Sequence, residues 1–358
     1  MVRSSSSILV TGGAGFIGSE FVRQWIAEET SSLVNLDKLT YAGHRASLVP
    51  IDGDPRHIFV EGDVCDQALV ARLLVEHRPS AIVHFAAESH VDRSIDDPPA
   101  FFKTNVTGTC SLLEASCKYW ETLPEMQRET FRFLHVSTDE VFGSAGPDEV
   151  FSETSAYAPN SPYAASKAAA DHFVRAFHNT YGLPTVITNC SNNYGPYQFP
   201  EKLIPLMTIN AAAGRPLPVY GDGQHVRDWI HVVDHVQAIR LVLAEGTVGD
   251  VYLVGANCPK TNLEVVKSIA EMVDSLRPNL PHGPCAELIT MVEDRPGHDR
   301  RYAIDAGKIE RELGWRPRHE FHSSLRQTVQ WYLENTRWVE QVSANTGVGE
   351  RLGLGGGA

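Results

Sequence analysis

Short apolar runs alternate with longer amphipathic stretches through the first half of the chain. Ile8, Leu9 and Val10 form the first run; after a glycine-rich turn, Phe16, Ile17, Phe21, Val22, Trp25 and Ile26 recur at helical spacing to about residue 28. Runs at 33–36, 58–60, 81–85 and 131–136 read as strands, and 67–77, 99–118 and 161–181 as helices. Wholly apolar strands alternating with helices predict a parallel sheet covered on both faces. Near residue 189 the composition shifts to NCSNNYGPYQFPEKLIP, rich in Asn, Pro and aromatics, which marks a domain boundary. The periodicity of 232–243 and the run 251–254 should return to the first domain, while 263–276 and 321–338 read as helices of a lobe. The expected class is α/β: a Rossmann-like, doubly wound parallel sheet domain over 1–190, joined by 230–256, with a smaller C-terminal substrate-binding lobe from 191–229 and 257–340. A glycine-rich tail, 341–358, has little to bury and should be mobile.

The first strand runs into TGGAGFIG, and glycines at 12, 13, 15 and 18 satisfy the dinucleotide-binding spacing in the required order of strand, turn and helix. Such glycines let a pyrophosphate approach the backbone and the helix pack close to the sheet. The second strand ends in Asp37, 19 residues past Gly18, where a carboxylate accepts hydrogen bonds from an adenosine ribose. An acid there selects NAD over NADP. Asp63 and Val64 fall at the end of the third strand, over the expected adenine position, and Ala86 and Ala87 leave the fourth with small side chains beside the cofactor. Ser89, His90, Asp92 and Arg93 form a polar group that reads, for the last three, equally as a satisfied loop network.

Charge appears abruptly in HVSTDEVFG, where Asp139 and Glu140 follow Ser137 and Thr138 at the end of the fifth strand. Ligands bind at such strand ends in open α/β sheets, yet two acids there can equally form a solvated turn. Adjacent side chains on a strand point to opposite faces, so both acids can serve one ligand only if the chain turns near Thr138. The next helix, capped by Asn160-Ser161-Pro162, carries Tyr163 and Lys167 on one face. A tyrosine acting as a base near neutrality needs its pKa lowered by roughly three units, about 4 kcal/mol. One ammonium about 4 Å away at intermediate dielectric contributes on that order, so Lys167 nearly suffices.

Composition narrows the classes. Lys and Arg number 31 against 44 Asp and Glu, a net charge of −13 that argues against a nucleic-acid partner. No apolar run is long enough to span a bilayer and no secretory signal opens the chain, so a cytoplasmic location is expected and the Asn105-Val106-Thr107 sequon carries no meaning. Six cysteines without framework or CxxC spacing read as reduced thiols. His231, Asp234 and His235 have metal-like spacing but read better as a helix start, and no metal is expected.

TGGAGFIG, NLDKLTYAG, FAAESHVDRS, STDEVFG, YAASK, NCSNNYGPYQFPEKLIP, YGDGQHVRDWIHVVDH and DRPGHDRRYAID together resemble the extended short-chain dehydrogenase/reductase family, and within it the dTDP-glucose 4,6-dehydratases, over essentially residues 8–335. Phe142 stands where that pattern usually has tyrosine. The resemblance implies NAD contacts from Gly12, Gly15, Phe16, Ile17 and Gly18; from Asp37, Lys38, Leu39, Thr40, Asp63 and Val64; from Phe85, Ala86, Ala87, Ser89 and Thr104; and from Tyr163, Lys167 and Asn193. It implies a catalytic set of Thr138, Asp139, Glu140, Tyr163 and Lys167, with Tyr163 as the base at the sugar O4, Glu140 taking the C5 proton and Asp139 protonating the C6 hydroxyl. Substrate contacts would come from Ser89, Thr138, Asn192, Glu201, Lys202, Leu203, Pro218, Val219, Tyr220, Arg227, Asn262, Arg295 and His298. Read locally, Arg227 and Arg295 are equally surface ion-pair residues. The resemblance further implies dTDP-glucose as substrate and a homodimer paired through the two long helices. A nucleotide-sugar 4-epimerase and a UDP-sugar 4,6-dehydratase stand as alternatives, and an NAD-bound binding module as a different class.

Overall fold

The computed structural model describes residues 7–344. Strands β1 (Ile8–Thr11), β2 (Leu33–Asp37), β3 (His57–Glu61), β4 (Ala81–His84), β5 (Arg132–Thr138), β6 (Thr185–Cys190) and, later in the chain, β10 (Val251–Val254) form one parallel sheet. Its order is β10-β6-β5-β4-β1-β2-β3, so the winding reverses between β1 and β4, where open α/β sheets bind ligands. Alternate residues of β1 serve opposite faces: Ile8 and Val10 join the core under the helices Phe16–Glu28 and Val232–Glu245, while Leu9 packs with Val34, Ile82 and Leu112 on the other side. The fold is the expected Rossmann-like α/β architecture.

The remaining strands are short: β7 (Asn192–Tyr194), β8 (Leu217–Tyr220), β9 (Val226–His231), β11 (Pro259–Thr261) and β12 (Ile289–Val292). They make a three-stranded sheet, β11-β9-β7, and a two-stranded one, β12-β8. Helices Leu203–Ala212, Asn262–Leu276 and Phe321–Glu334 close over them around Tyr194, Met207, Val266 and Leu325. Thr261 and Glu264 start the middle helix as a reciprocal cap, Thr261 Oγ1 accepting from Glu264 N at 3.1 Å and Glu264 Oε2 accepting from Thr261 N at 2.7 Å.

Three expectations change. The segment 99–118 is not one regular helix: Phe102–Gly108 is wound as a π-segment between Pro98–Phe101 and Thr109–Glu121. The wider turn lets Asn105 face inward, donating to Glu88 O at 2.9 Å and Ser166 Oγ at 2.9 Å while accepting from Glu88 N at 2.8 Å. The helix expected over 321–338 breaks at Asn335, whose Nδ2 bonds Trp331 O at 2.9 Å, and a new helix runs Thr336–Ser343. That helix takes in residues 341–343 of the expected tail; residues 345–358 lie outside the described ones. No helix among the described residues is long and apolar enough to cross a membrane.

Candidate active site

At the sheet's carboxyl edge the chain leaves β1 through Gly12, held at φ +74°, where a Cβ would lie 2.5 Å from Ala86 N. A Cβ on Gly18 would lie 2.2 Å from Gly12 O. Only glycine lets the turn and its helix come this close, and the start of that helix faces the cleft. Asp37 closes β2. Its oxygens accept from Ala14 N and Leu39 N, both at 2.8 Å, which fixes the carboxylate at the cleft wall and leaves each oxygen capacity for a further donor. Beyond it, Lys38 Nζ pairs with Asp63 Oδ2 at 2.7 Å. Gly12, Gly15, Phe16, Ile17, Gly18, Asp37, Lys38, Thr40, Asp63, Val64, Phe85, Ala86, Ala87, Ser89, Thr104, Tyr163, Lys167 and Asn193 all line this cleft. Leu39 is the exception: at φ 55° it turns the chain and offers its N–H to Asp37 instead of its side chain to the cavity. Sequence reasoning missed Glu88, Cys190, Gln198 and Phe199 in the same wall.

At the far end of β5 the chain does turn at Thr138. Asp139–Phe142 is a single 3-10 turn, capped by Thr138 Oγ1 accepting from Glu140 N at 3.3 Å. Both acids therefore enter the cleft. Their surroundings differ. Asp139 is 2% exposed; burial, then Glu140 and Asp228, push its carboxyl well above the usual range, which favours its protonated form. Burial raises Glu140 too, but Arg295, Arg227 and Lys202 pull against it, and Tyr302 OH stands 3.4 Å from its Oε2. Two carboxyls pushed apart in this way suit one acid and one base.

Tyr163 and Lys167 share a buried helix face, as their spacing requires, but the expected pairing is not what holds them. Lys167 Nζ donates to Val136 O at 2.9 Å and lies 3.4 Å from His135 Nε2, whose ring is 3.3 Å from Asp171. Asp171 also accepts from Ser137 Oγ at 2.9 Å and Tyr157 OH at 3.0 Å. The buried lysine is thus anchored to the strand behind the site. The phenol of Tyr163 is raised well above its ordinary range by burial, with Glu140 and Cys190 adding to it and the Thr138 hydroxyl opposing; Lys167 is not among these influences. Phe142, buried, stacks on Phe151 at 5.3 Å and meets Tyr157 edge-on.

A second cavity continues the first, sharing Ser89, Glu140, Asn192 and Lys202 with it. Glu201, Leu203, Pro218, Val219, Tyr220, Arg227, Asn262, Arg295 and His298 line this part, so of the expected substrate residues only Thr138 belongs to the first cavity alone. Arg227 is buried over the Tyr302 ring at 4.2 Å and donates to Asp299 O at 2.9 Å. Arg295 donates to Asp92 Oδ1 at 2.5 Å, Tyr220 OH donates to Asp92 Oδ2 at 3.0 Å, and Arg295 Nε is buried without a hydrogen-bond partner among the described residues. Glu201 takes Arg93 Nε at 3.2 Å on one oxygen, while His90 Nε2 stands 3.9 Å from the other, Oε1, which is buried without a hydrogen bond among the described residues. His90, Asp92 and Arg93 all line this cavity, as does Tyr302, which sequence reasoning left without a role.

His231, Asp234 and His235 turn to separate partners: Val233 N, the backbone and ring of His319, and Asn193 Oδ1. Metal-type donors instead gather at His225, Asp294 and His298. There each imidazole engages one Asp294 oxygen, at 3.1 and 2.6 Å, and the rings stack at 3.7 Å.

Residues 9–328 match the family model of GDP-mannose 4,6 dehydratase. The chain is 58% identical over 345 residues to a dTDP-glucose 4,6-dehydratase of Xanthomonas campestris pv. campestris, covering 96% of this chain and 98% of that protein. The chain belongs to the nucleotide-sugar 4,6-dehydratase family. Within that family it is 55% identical to the dTDP-glucose 4,6-dehydratase of Neisseria meningitidis over 351 residues, 97% of this chain and 99% of that one. The dTDP-glucose 4,6-dehydratase of Streptomyces venezuelae, solved with NAD bound, superposes with a TM-score of 0.86 at 49% identity, over 94% of this chain and 99% of that chain. The UDP-glucose 4-epimerase of Thermotoga maritima shares the fold at TM-score 0.80 but only 28% identity, over 92% and 99% of the two chains.

Proposed function

We infer that the protein is an NAD-dependent dTDP-glucose 4,6-dehydratase, a hydro-lyase that removes water across C5–C6 and leaves a 4-keto-6-deoxy sugar for deoxysugar biosynthesis. The carrying observation is the pair Asp139 and Glu140, in the turn just past β5, facing the same cleft as Tyr163, the first carboxyl raised well above the usual range by burial and the second set among cations. Hydride transfer alone needs no such pair.

The glycine cradle at Gly12 and Gly18 and the carboxylate of Asp37 would hold NAD, which when bound would supply a reversible hydride acceptor. Tyr163 takes the O4 proton, aided by the Thr138 hydroxyl, while Lys167 acts from its anchor on Val136 O. Once C4 is a ketone the C5 proton is acidic; Glu140 removes it and Asp139 protonates the leaving C6 hydroxyl. Glu140 then returns the proton to C5. Arg227, Arg295 and Lys202 offer cations for the diphosphate, the arginines in the planar geometry that matches phosphate oxygens, and Oε1 of Glu201 offers an acceptor to the base.

We read residues 1–190 with 230–256 as the NAD domain and 191–229 with 257–340 as the nucleotide-sugar lobe. Exposed Phe102, at the start of the π-segment, and Phe173, on the helix Pro162–Tyr181, support pairing of two copies through these segments. Incubation with dTDP-glucose and with UDP-glucose, followed by mass spectrometry, tests the reading: a product lighter by one water, formed faster from the dTDP sugar, is expected, and an isomer of unchanged mass would assign the chain to the epimerases.

A further inference from the structure

Lys167 is buried, and an ammonium taken out of water is costly unless a negative charge lies near. The hydrogen bond from its Nζ to Val136 O at 2.9 Å satisfies one proton but supplies no charge. Asp171 lies one turn further along the same helix, Pro162–Tyr181, and so on the same face. It is fully buried, and its Oδ2 accepts from Ser137 Oγ at 2.9 Å, Tyr157 OH at 3.0 Å and Asn189 Nδ2 at 3.1 Å. Three donors on one oxygen favour the ionised carboxylate. Burial presses this carboxyl upward, yet His135, Lys167 and Ser137 hold it below its ordinary range. None of the steps proposed above uses it.

His135 stands between the two charges. Its Nε2 is 3.4 Å from Lys167 Nζ and 3.3 Å from Asp171 Oδ1, and one imidazole nitrogen either donates or accepts. A lone pair on Nε2 would face the carboxylate and put the ring proton on Nδ1, which is buried with no partner among the described residues. The proton therefore belongs on Nε2, toward Asp171 Oδ1, an oxygen with no other hydrogen bond among the described residues. Beside the proton on Val136 O, Lys167 then keeps two for the cleft that it lines. The other titratable groups around the lysine are Tyr163 on its own helix, His135 on β5, His84 on β4 and Cys190 on β6. Burial pulls His135 down to about 4 and His84 well below its usual value, and it pushes the Tyr163 phenol and the Cys190 thiol up, which favours the neutral form of all four. Asp139 and Glu140 act on the Tyr163 phenol from the turn after β5. Burial also pulls Lys167 below its ordinary range, and Asp171, then Cys190, oppose that pull.

We propose that Asp171 is the counter-ion of Lys167, a positioning residue that acts through His135 to hold the lysine as an ammonium with two protons turned to the cleft. This rests on the hydride step read above, in which Lys167 serves beside Tyr163. No bond is made or broken at Asp171; it acts by charge alone. A unit charge one imidazole away, at about 6 Å and intermediate dielectric, moves a pKa by up to about two units.

The charge on Lys167 can be read directly. In holoenzyme labelled with ¹³C at the lysine Cε, the Lys167 resonance is assigned by its loss in Lys167→Arg, and its chemical shift follows the ammonium through a pH titration. Asp171→Asn keeps the shape and removes the charge, so the midpoint should fall by about one pH unit or more, whereas Asp171→Glu keeps the charge and should hold it within about half a unit. The same order is expected in the hydride step, followed by stopped-flow absorbance of reduced nicotinamide formed from dTDP-glucose in the Glu140→Gln background, where elimination is slowed. The active form carries the ammonium, so the rate is lost as pH rises through the lysine's pKa; lowering that pKa brings the alkaline limb of Asp171→Asn to lower pH. Should the asparagine variant fail to fold, Asp171→Ser is also neutral, still offers an acceptor and must show the same displacement. A midpoint and limb that stay in place without the charge overturn the proposal. So does a glutamate variant displaced as far as the neutral ones, which would make Asp171 a packing residue. Failure of the underlying reading is distinct, because wild-type enzyme then releases no product lighter by one water, whatever the lysine titration shows.

Discussion

The two ends of the cleft are built by opposite means. The cofactor end is mostly backbone: strand ends β1 to β6, a glycine turn with no room for a Cβ, and a few carboxylates tied down by N–H groups. The lobe end is mostly side chain, with Arg93, Glu201, Arg227, Arg295 and Asp92 converging from separate segments in bonded pairs or over rings. A backbone cradle serves one ligand class, and the fold that carries it here is shared with the epimerase at 28% identity. Paired side chains can be exchanged singly, so substrate choice belongs at the second end. Asp139 and Glu140 sit where the two meet.

Changing that junction should have the largest effect. Glu140→Gln keeps the shape and removes the proposed base; dehydration is expected to fall by about 10²–10⁴, while hydride exchange at C4 continues. Stopped-flow absorbance of reduced nicotinamide alongside product mass separates the two steps, and rapid dehydration by this variant would remove Glu140 from its role.

At the lobe end, Arg295→Ala deletes a phosphate-matching fork and strands Asp92, which is 6% exposed, without its cation. Breaking a buried pair from one side costs about 3–5 kcal/mol, and KM should rise about tenfold or more. Adding Asp92→Asn should recover thermal stability but not KM. Recovery of both would make the arginine a structural residue only.

At the cofactor end, Gly12→Ala places a side chain at φ +74°, a conformation costing about 1–2 kcal/mol for an L-residue before the overlap with Ala86 N is counted. Weaker NAD binding by about tenfold, read by fluorescence titration, is expected with substrate KM little changed. A change in KM alone would show that the two ends are not separable.

The same contrast governs what could be read from the sequence. Glycine spacing, apolar strands and helical periodicity are local signals, and they place β1 to β6, the cradle and Asp37 correctly. The turn at Thr138 followed from a local argument as well, since two adjacent acids cannot otherwise share a face. The lobe leaves little periodic trace: β7, β8, β9, β11 and β12 are three to six residues long and pair across large separations. Its contacts were legible only through resemblance, and His90, Asp92 and Arg93 could not be told from a loop network until Asp92 was found on Arg295 and Arg93 on Glu201. Tyr302 carries no local signal at all; it reaches Glu140 because its segment bridges β9, with Arg301 beside Val226. The anchor of Lys167 was out of reach for a similar reason. Helical spacing established the shared face with Tyr163 but said nothing of Val136 O, to which the ammonium is anchored.

Arg227 offers the finest test of how far the two ends are joined, because it lies in the lobe and acts on both junction carboxyls. It holds Glu140 below where burial alone would put it, and it pulls Asp139 in the same direction. Arg227→Gln removes that cation, so both carboxyls rise. In the proposed roles Glu140 works ionised, and raising its pKa moves the acid limb of the rate profile to higher pH; Asp139 works protonated, and raising its pKa moves the alkaline limb the same way. The whole bell for dehydration should therefore shift upward, by about one pH unit or less, equivalent to about 1.4 kcal/mol at most. Product formation under saturating substrate across the pH range measures it. A bell that stays in place, or moves to lower pH, would mean that the lobe supplies binding alone and that the acid and base are set by the sheet domain.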